Sequence, residues 1–229
     1  FESSSIRWDR EVPSISHYPA DPTTSHRSCL VLAHGAGAGQ QHPFMVTCAR
    51  GLAERGIDVV TFDFPYMAQK RRVPDKAPVL EESFRETVAE ARQRVGPDRR
   101  LFIGGKSLGG RMATHLAAEG LADLQGVELL GYPLHPPGKP EQPRVAHLPR
   151  ITVPVLIVQG DRDAFGTPAE VRPAFAGLGT RATLHVVEGG DHSLRVAAAR
   201  SPDGRARAEG AVLAALAGVV GAWLAEVAP

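Results

Sequence analysis

Short apolar runs alternate along the chain with segments whose apolar residues recur at helical spacing. The runs that predict buried strands are residues 29–33, 57–64, 101–103, 127–130, 153–158 and 182–187. The segments that predict helices begin near Pro43 and Ser107 and span residues 79–95, 168–175 and 205–227. Nearly continuous apolar strands alternating with amphipathic helices indicate an α/β fold, a mostly parallel twisted sheet with helices on both faces. We find no internal repeat and expect one domain over residues 1–229.

The remaining segments carry weaker patterns. Residues 5–8 and 14–18 predict short edge strands, the second bracketed by Pro13 and Pro19. Residues 65–78 predict a loop. Residues 131–150 contain six prolines, which predicts a loop rather than a helical insertion. We therefore expect no cap domain and an open, shallow site.

Composition narrows the possible partners. The 229 residues are 43% hydrophobic and 22% charged, with a formal net charge of +1, so no overall field favours nucleic acid or a membrane surface. The longest uncharged apolar run, Gly210 to Ala225, has 16 residues and is short for a membrane span. We expect a monomer or small homo-oligomer that binds neither nucleic acid nor membrane.

The two cysteines indicate the cellular compartment in which the protein resides. Cys29 and Cys48 form no C-x-x-C motif and make a weak disulfide framework, so we expect free core thiols. The sequence shows no apolar leader segment at its start. The free thiols favour a reducing cytoplasm.

The strongest motif is Gly105-Lys106-Ser107-Leu108-Gly109, a G-x-S-x-G placed between a predicted strand and a predicted helix. Such a turn is too sharp for bulky side chains, so glycines flank the serine and its hydroxyl is exposed at a helix N-terminus. A phosphate-binding P-loop is excluded because Arg100 stands where that motif needs glycine. A glycine-rich turn with an incidental serine remains open unless partner residues follow.

Two downstream loops supply those partners. A serine needs a base to act as a nucleophile, and the base needs an orienting acid. Asp161 and Asp163 follow the strand at 153–158, and His192 follows the strand at 182–187. Ser107, Asp163, His192 is the chain order that α/β-hydrolases use. We prefer Asp163 to Asp161 as the acid and interpret Asp191 as a turn residue.

An acyl-transfer site also needs amide donors for an oxyanion, one after the nucleophile and one from an early strand loop. Leu108 supplies the first, and Ala36 or Gly37 the second. The residues that could contact substrate are His34, Gly35, Gly37, Lys106, Tyr132 and His135. Lys106 could attract an anionic acyl group or could be a solvated lysine, and His34 is more often structural in such a loop.

The chain resembles an α/β-hydrolase over nearly its full length. The motifs that carry the resemblance are residues 34–39, 104–112, 131–139 and 159–163. More narrowly, it is similar to small bacterial hydrolases of the dienelactone-hydrolase-like group, relatives of the animal testis-expressed and non-specific-lethal-complex hydrolase-like proteins. The resemblance implies Ser107 as nucleophile, Asp163 as acid and His192 as base, with no metal and no cofactor.

The chain differs from the dienelactone hydrolases at the nucleophile, and this difference limits what the resemblance implies. Dienelactone hydrolases proper use a cysteine nucleophile, whereas serine stands at position 107, so their substrate does not carry over. We expect a serine hydrolase that cleaves carboxylic esters or related acyl bonds of a small molecule. The alternative is a hydrolase-fold scaffold that binds a protein partner without turnover, as some animal relatives do.

Overall fold

The computed structural model describes residues 14–196 and 202–227, with the side chains of residues 202–209 left out of that description. The strand predicted at residues 5–8 lies outside the described residues. Within the described residues, seven strands form one sheet: β1 (Ile15–Tyr18), β2 (Ser28–Ala33), β3 (Ile57–Phe62), β4 (Arg100–Lys106), β5 (Leu124–Leu130), β6 (Val155–Gly160) and β7 (Ala182–Val187). Their spatial order is β1-β3-β2-β4-β5-β6-β7, with β1 antiparallel to β3 and all other neighbours parallel.

Helices cover both faces of this sheet. They are α1 (Pro43–Ala53), α2 (Pro65–Ala68), α3 (Ala77–Val95), α4 (Leu108–Ala118), α5 (Pro168–Ala174) and α6 (Pro202–Val227), with 3-10 turns at Leu148–Arg150 and Ala176–Arg181. On one face α1 and α6 bury a core that includes Leu52, Val220 and Trp223. On the other, α3, α4 and α5 bury a larger core that includes Phe84 and Met112. The predicted fold class is confirmed.

The strand order places a crevice at the centre of the sheet. After β2 the chain crosses through α1 to β3 at one side, and after β3 it returns through α3, on the opposite face, to β4. The loops that leave β2 and β4 therefore diverge to opposite faces. In open α/β sheets ligands bind at such a switch point, outside the carboxyl ends of the strands.

Some element boundaries differ from the predictions. The segment 65–78 contains the one-turn helix α2, which begins with Pro65 and buries Tyr66. Strand β6 begins at Val155 rather than residue 153, because Pro154 has no N–H to donate to the ladder. It extends to Gly160, so Gln159 is a strand residue. Within residues 131–150 the only helical element described is the 3-10 turn at Leu148–Arg150, and none of the described residues forms a cap over the site.

Helix α6 includes an apolar stretch, Gly210–Val227, that is long and apolar enough by composition to span a membrane. That 18-residue stretch is longer than the run identified in the sequence because Glu226 is tolerated within it. One side of the helix packs into the core through Leu216, Val220 and Leu224. Because core helices pass the same test of composition, the stretch is weak support for a membrane segment.

Candidate active site

Ser107 occupies the turn between β4 and α4. Its φ is 50°, in the left-handed region that residues with a Cβ seldom adopt. At this turn the helix lies directly against the sheet. A Cβ on Gly109 would lie 2.4 Å from the Ala33 carbonyl oxygen, and a Cβ on Gly105 would lie 2.5 Å from the same oxygen. The two glycines of the motif therefore permit a close helix–strand approach that leaves the Ser107 hydroxyl at the carboxyl edge of the sheet.

The sheet brings Ser107, His192 and Asp163 together in a hydrogen-bonded chain. Ser107 Oγ lies 2.8 Å from His192 Nε2, and His192 Nδ1 lies 2.8 Å from Asp163 Oδ2 and 3.0 Å from Oδ1. Because a carboxylate accepts, the geometry assigns the imidazole proton to Nδ1 and leaves Nε2 to accept from the serine. This is the arrangement in which an imidazole can take a proton from a serine hydroxyl.

Asp163 is buried and fully engaged in hydrogen bonds. Gln159 Nε2 donates to Oδ2 over 2.8 Å, and the Phe165 amide donates to Oδ1 over 2.8 Å. The Phe165 ring stacks on the His192 ring, with centroids 4.0 Å apart. These contacts fix the carboxylate and limit rotation of the imidazole, as orienting groups do in hydrogen-bonded sites.

The two other candidate aspartates, Asp161 and Asp191, do not take the position of the acid. Asp161 is exposed at the start of the turn after β6. Asp191 Oδ1 accepts the amide N–H groups of Ser193 and Arg195, so this side chain closes its own turn. Neither carboxylate has a hydrogen bond to His192 among the described residues.

The loop after β2 lies beside Ser107. A Cβ on Gly35 would lie 3.7 Å from Ser107 Cβ. His34 is buried, its Nδ1 bonds the Gly35 carbonyl at 2.7 Å and its Nε2 accepts the Phe64 amide, and burial lowers its pKa. The Tyr66 hydroxyl donates to the Ala36 carbonyl over 3.0 Å. The Gly35 and Ala36 carbonyls are thus engaged by His34 and Tyr66. Leu108, first in α4, has an N–H without an intrahelical acceptor.

A cavity of about 620 Å³ opens at Ser107 and His192. Its walls are mostly apolar and come from the start of α1, the loop after β7 and the face of α6 toward the sheet. The apolar side chains in these walls are Phe44, Met45, Phe165, Leu194, Val212 and Leu213. The site is therefore deeper than the shallow surface that the sequence predicted, because α6 forms a wall that spacing alone could not place.

The predicted substrate contacts divide into two groups. Gly35, Gly37 and Lys106 line the cavity, as does Ala36. His34, Tyr132 and His135 do not. Tyr132 is buried and its hydroxyl donates to the Arg144 carbonyl, while His135 is buried with Nε2 3.4 Å from Glu170. The prediction that Tyr132 and His135 line the pocket is wrong, because the proline-rich loop turns both side chains into the protein.

Lys106 lies in the wall but does not extend into solvent. Its ammonium donates a hydrogen bond to the backbone carbonyl of His192. Burial lowers the pKa of Lys106 to about 8, an effect opposed by the nearby carboxylates of Asp163 and Asp191. The expectation of a solvated lysine or an anion attractor at the mouth is replaced by an internal contact.

Sequence reasoning assigned no role to Gln159. Its side chain is buried at the end of β6, where Nε2 also donates to the Gly166 carbonyl over 2.7 Å and Oε1 accepts the Tyr132 amide over 2.8 Å. It therefore joins the loop after β5 to the loop that carries Asp163. The sequence feature that could have pointed to Gln159 is a glutamine at the end of an apolar strand, just before the acid.

Comparisons with known proteins show the family and the fold. A sequence model of a family described as an alpha/beta hydrolase domain matches residues 26–218. No curated protein is similar in sequence to the chain.

Solved structures share the fold at low identity. A lidless α/β serine hydrolase from Xanthomonas campestris is 21% identical, with a TM-score of 0.67 over 91% of this chain and 88% of that one. A protein from Thermus thermophilus is 22% identical, with a TM-score of 0.69 over 94% and 93%. Est1E from Butyrivibrio proteoclasticus, solved with ferulic acid bound, is 15% identical, with a TM-score of 0.70 over 93% and 95%.

Proposed function

Because the chain belongs to the alpha/beta hydrolase domain family, we propose that it is a serine hydrolase that cleaves carboxylic esters through an acyl-enzyme. The observation that carries the proposal is the continuous hydrogen-bonded chain from Ser107 Oγ through His192 to the buried Asp163. The esterase-type neighbours support the same reaction class.

In the proposed reaction, Ser107 Oγ attacks the substrate carbonyl carbon while His192 Nε2 takes the hydroxyl proton. Asp163 holds Nδ1–H and stabilises the imidazolium that forms. The Leu108 and Ala36 amides donate to the tetrahedral oxyanion. His192 then protonates the departing alcohol, which leaves an ester on Ser107. A water that transfers its proton to His192 attacks this ester, and His192 then returns that proton to Ser107 Oγ as the carboxylic acid leaves.

The cavity suggests the substrate class. Its apolar walls favour an acyl group of several carbons over acetate, since each buried methylene contributes about 0.8 kcal/mol to binding. Lys106 is held by His192, which leaves the apolar residues to contact the acyl chain. We also propose a cytoplasmic location, which the free buried thiols of Cys29 and Cys48 support.

A series of p-nitrophenyl esters tests the proposal. We expect kcat/KM to rise from acetate through butyrate to hexanoate, with turnover abolished in Ser107→Ala. Leu213→Trp, which fills the cavity, should lower the rate on hexanoate more than on acetate. Ala214→Trp, exposed on the same helix, is the matched control and should leave the series unchanged.

Absence of turnover by the folded wild type on all esters would overturn the proposal. It would favour the alternative of a hydrolase-fold scaffold that binds a protein partner. A series that declines with chain length in wild type and Leu213→Trp alike would contradict the assignment of the cavity to the acyl group.

A further inference from the structure

Lys106 joins the nucleophile turn to the histidine loop. It is the last residue of β4 and directly precedes Ser107, while its ammonium bonds the carbonyl of His192, which follows β7. The loop after β5 makes room for this contact: a Cβ on Gly131 would lie 3.1 Å from Lys106 Nζ and 2.9 Å from the His192 carbonyl oxygen. One side chain therefore spans the two strand ends that carry the nucleophile and the base.

Several contacts hold the histidine loop, and Lys106 makes the one at the carbonyl of His192 itself. Asp191 closes the turn around its own neighbours, and the Arg162 amide bonds the Gly190 carbonyl. At His192 itself, Lys106 is the donor that the described residues offer to the backbone carbonyl. The ring contacts Ser107, Asp163 and Phe165, while the carbonyl of the backbone from which it projects accepts a hydrogen bond from Lys106.

The charges around the ammonium favour holding it in place. Asp163, on the loop after β6, and Asp191, on the loop after β7, both favour its charged form, while Arg195 and burial oppose it. A half-buried lysine beside two carboxylates carries a desolvation cost that an apolar side chain would avoid. Retaining a cation here is therefore better explained by a role in the site than by a gain in stability.

We propose that Lys106 is a positioning residue that holds His192 at hydrogen-bonding distance from Ser107 by binding the His192 carbonyl. The proposal rests on the proposed serine hydrolase function. It assigns Lys106 no contact with substrate and no proton transfer.

Lys106→Met tests the proposal, because methionine keeps much of the side-chain volume and cannot donate. A displacement of about 1 Å in a reacting group can cost roughly 100-fold in rate, and we expect a fall in kcat of that order with KM changed by less than about threefold. The thermal midpoint should stay close to that of wild type. Lys139→Met, which removes an exposed lysine from the proline-rich loop, is the control and should keep wild-type kcat.

Chemical rescue separates the ammonium from packing. Alkylating Lys106→Cys with 2-bromoethylamine rebuilds an ammonium at the length of lysine, whereas iodoethane adds an uncharged chain that lacks only the terminal nitrogen. Cys29 and Cys48 are 2% and 0% exposed, so the folded protein should gain one adduct. We expect aminoethylation to restore kcat to within about tenfold of wild type, and ethylation to leave it low.

The proposal would be overturned if Lys106→Met kept the wild-type kcat, or if both reagents restored kcat equally. The proposed function would still stand in that case, provided that the wild-type protein turned over esters. Should Lys106→Met fail to fold, the two alkylated forms of Lys106→Cys still decide between an ammonium and mere bulk. A wild-type protein that turns over no ester would instead remove the proposed function itself.

Discussion

At the scale of single residues, the most specific prediction concerns which aspartate orients His192. Asp163 is buried and bonded to His192, whereas Asp161 is exposed two residues earlier in the same loop. Asp163→Asn preserves the shape but favours the wrong imidazole tautomer, so we expect kcat to fall by about 10⁴-fold. Ester turnover by purified protein measures this. Asp161→Asn is the matched control, and a larger loss there than in Asp163→Asn would reassign the acid.

The sequence predicted these residues unevenly, for a physical reason. Ser107, Asp163 and His192 were identifiable because parallel strands end at one edge and their loops must meet there. Tyr132 and His135 satisfied the same rule but turn inward, because the loop after β5 packs on Gln159 and Glu170. The direction of a side chain within a loop depends on such contacts, which no spacing encodes. These contacts also explain the missed role of Gln159.

At the scale of elements, the nucleophile turn depends on how closely α4 approaches β2. A Cβ at position 109 would lie 2.4 Å from a backbone carbonyl oxygen that cannot rotate away. Gly109→Ala must therefore push the helix off the sheet. Such overpacking costs about 1–3 kcal/mol, and we expect the unfolding free energy to fall by that amount together with kcat.

Urea denaturation of the variant checks this prediction. Gly218→Ala in α6 is the control, since no heavy atom lies within 4 Å of the added methyl group. Alanine should stabilise a helix interior by about 0.5–1 kcal/mol relative to glycine. Equal stability of the two variants would mean that the helix–strand approach is looser than the distances imply.

The sequence pattern predicted the existence of strands and helices more completely than the residues at which they begin and end. The alternation of apolar runs and helical spacing placed six of the strands and five of the helices, because burial on a two-sided sheet selects both patterns. Helix α2 was missed since four residues are too few to show a period. The extra residues of β4 and β5 were missed because glycines and polar residues within them are held by neighbouring strands, not by their own propensity.

At the scale of the whole molecule, one buried group sets a pH dependence of stability. Glu128 lies within β5, and both of its carboxyl oxygens are buried without a hydrogen-bond partner among the described residues. Burial raises the pKa of Glu128 from 4.5 to about 8. Between these values the folded protein retains a proton that the unfolded chain has lost, so the unfolding free energy falls as the pH rises through this window.

Glu128→Gln removes that proton equilibrium while keeping the shape of the side chain. We expect the variant to lose less unfolding free energy than wild type between pH values of about 5 and about 8, as measured by urea denaturation at several pH values. Glu119→Gln, on the surface, is the control and should follow wild type. Parallel curves for Glu128→Gln and wild type would show that the buried carboxyl does not govern this slope.

The central claim, that the fold assembles an activated serine, is tested most directly by intact-mass analysis after incubation with a fluorophosphonate. We expect wild type and Ser16→Ala, altered on the distant strand β1, to gain one adduct that peptide mapping assigns to Ser107. The adduct should be absent in Ser107→Ala and form much more slowly in His192→Ala, which lacks the base. A folded wild-type protein that gains no adduct, or a Ser107→Ala protein that still gains one, would contradict the account.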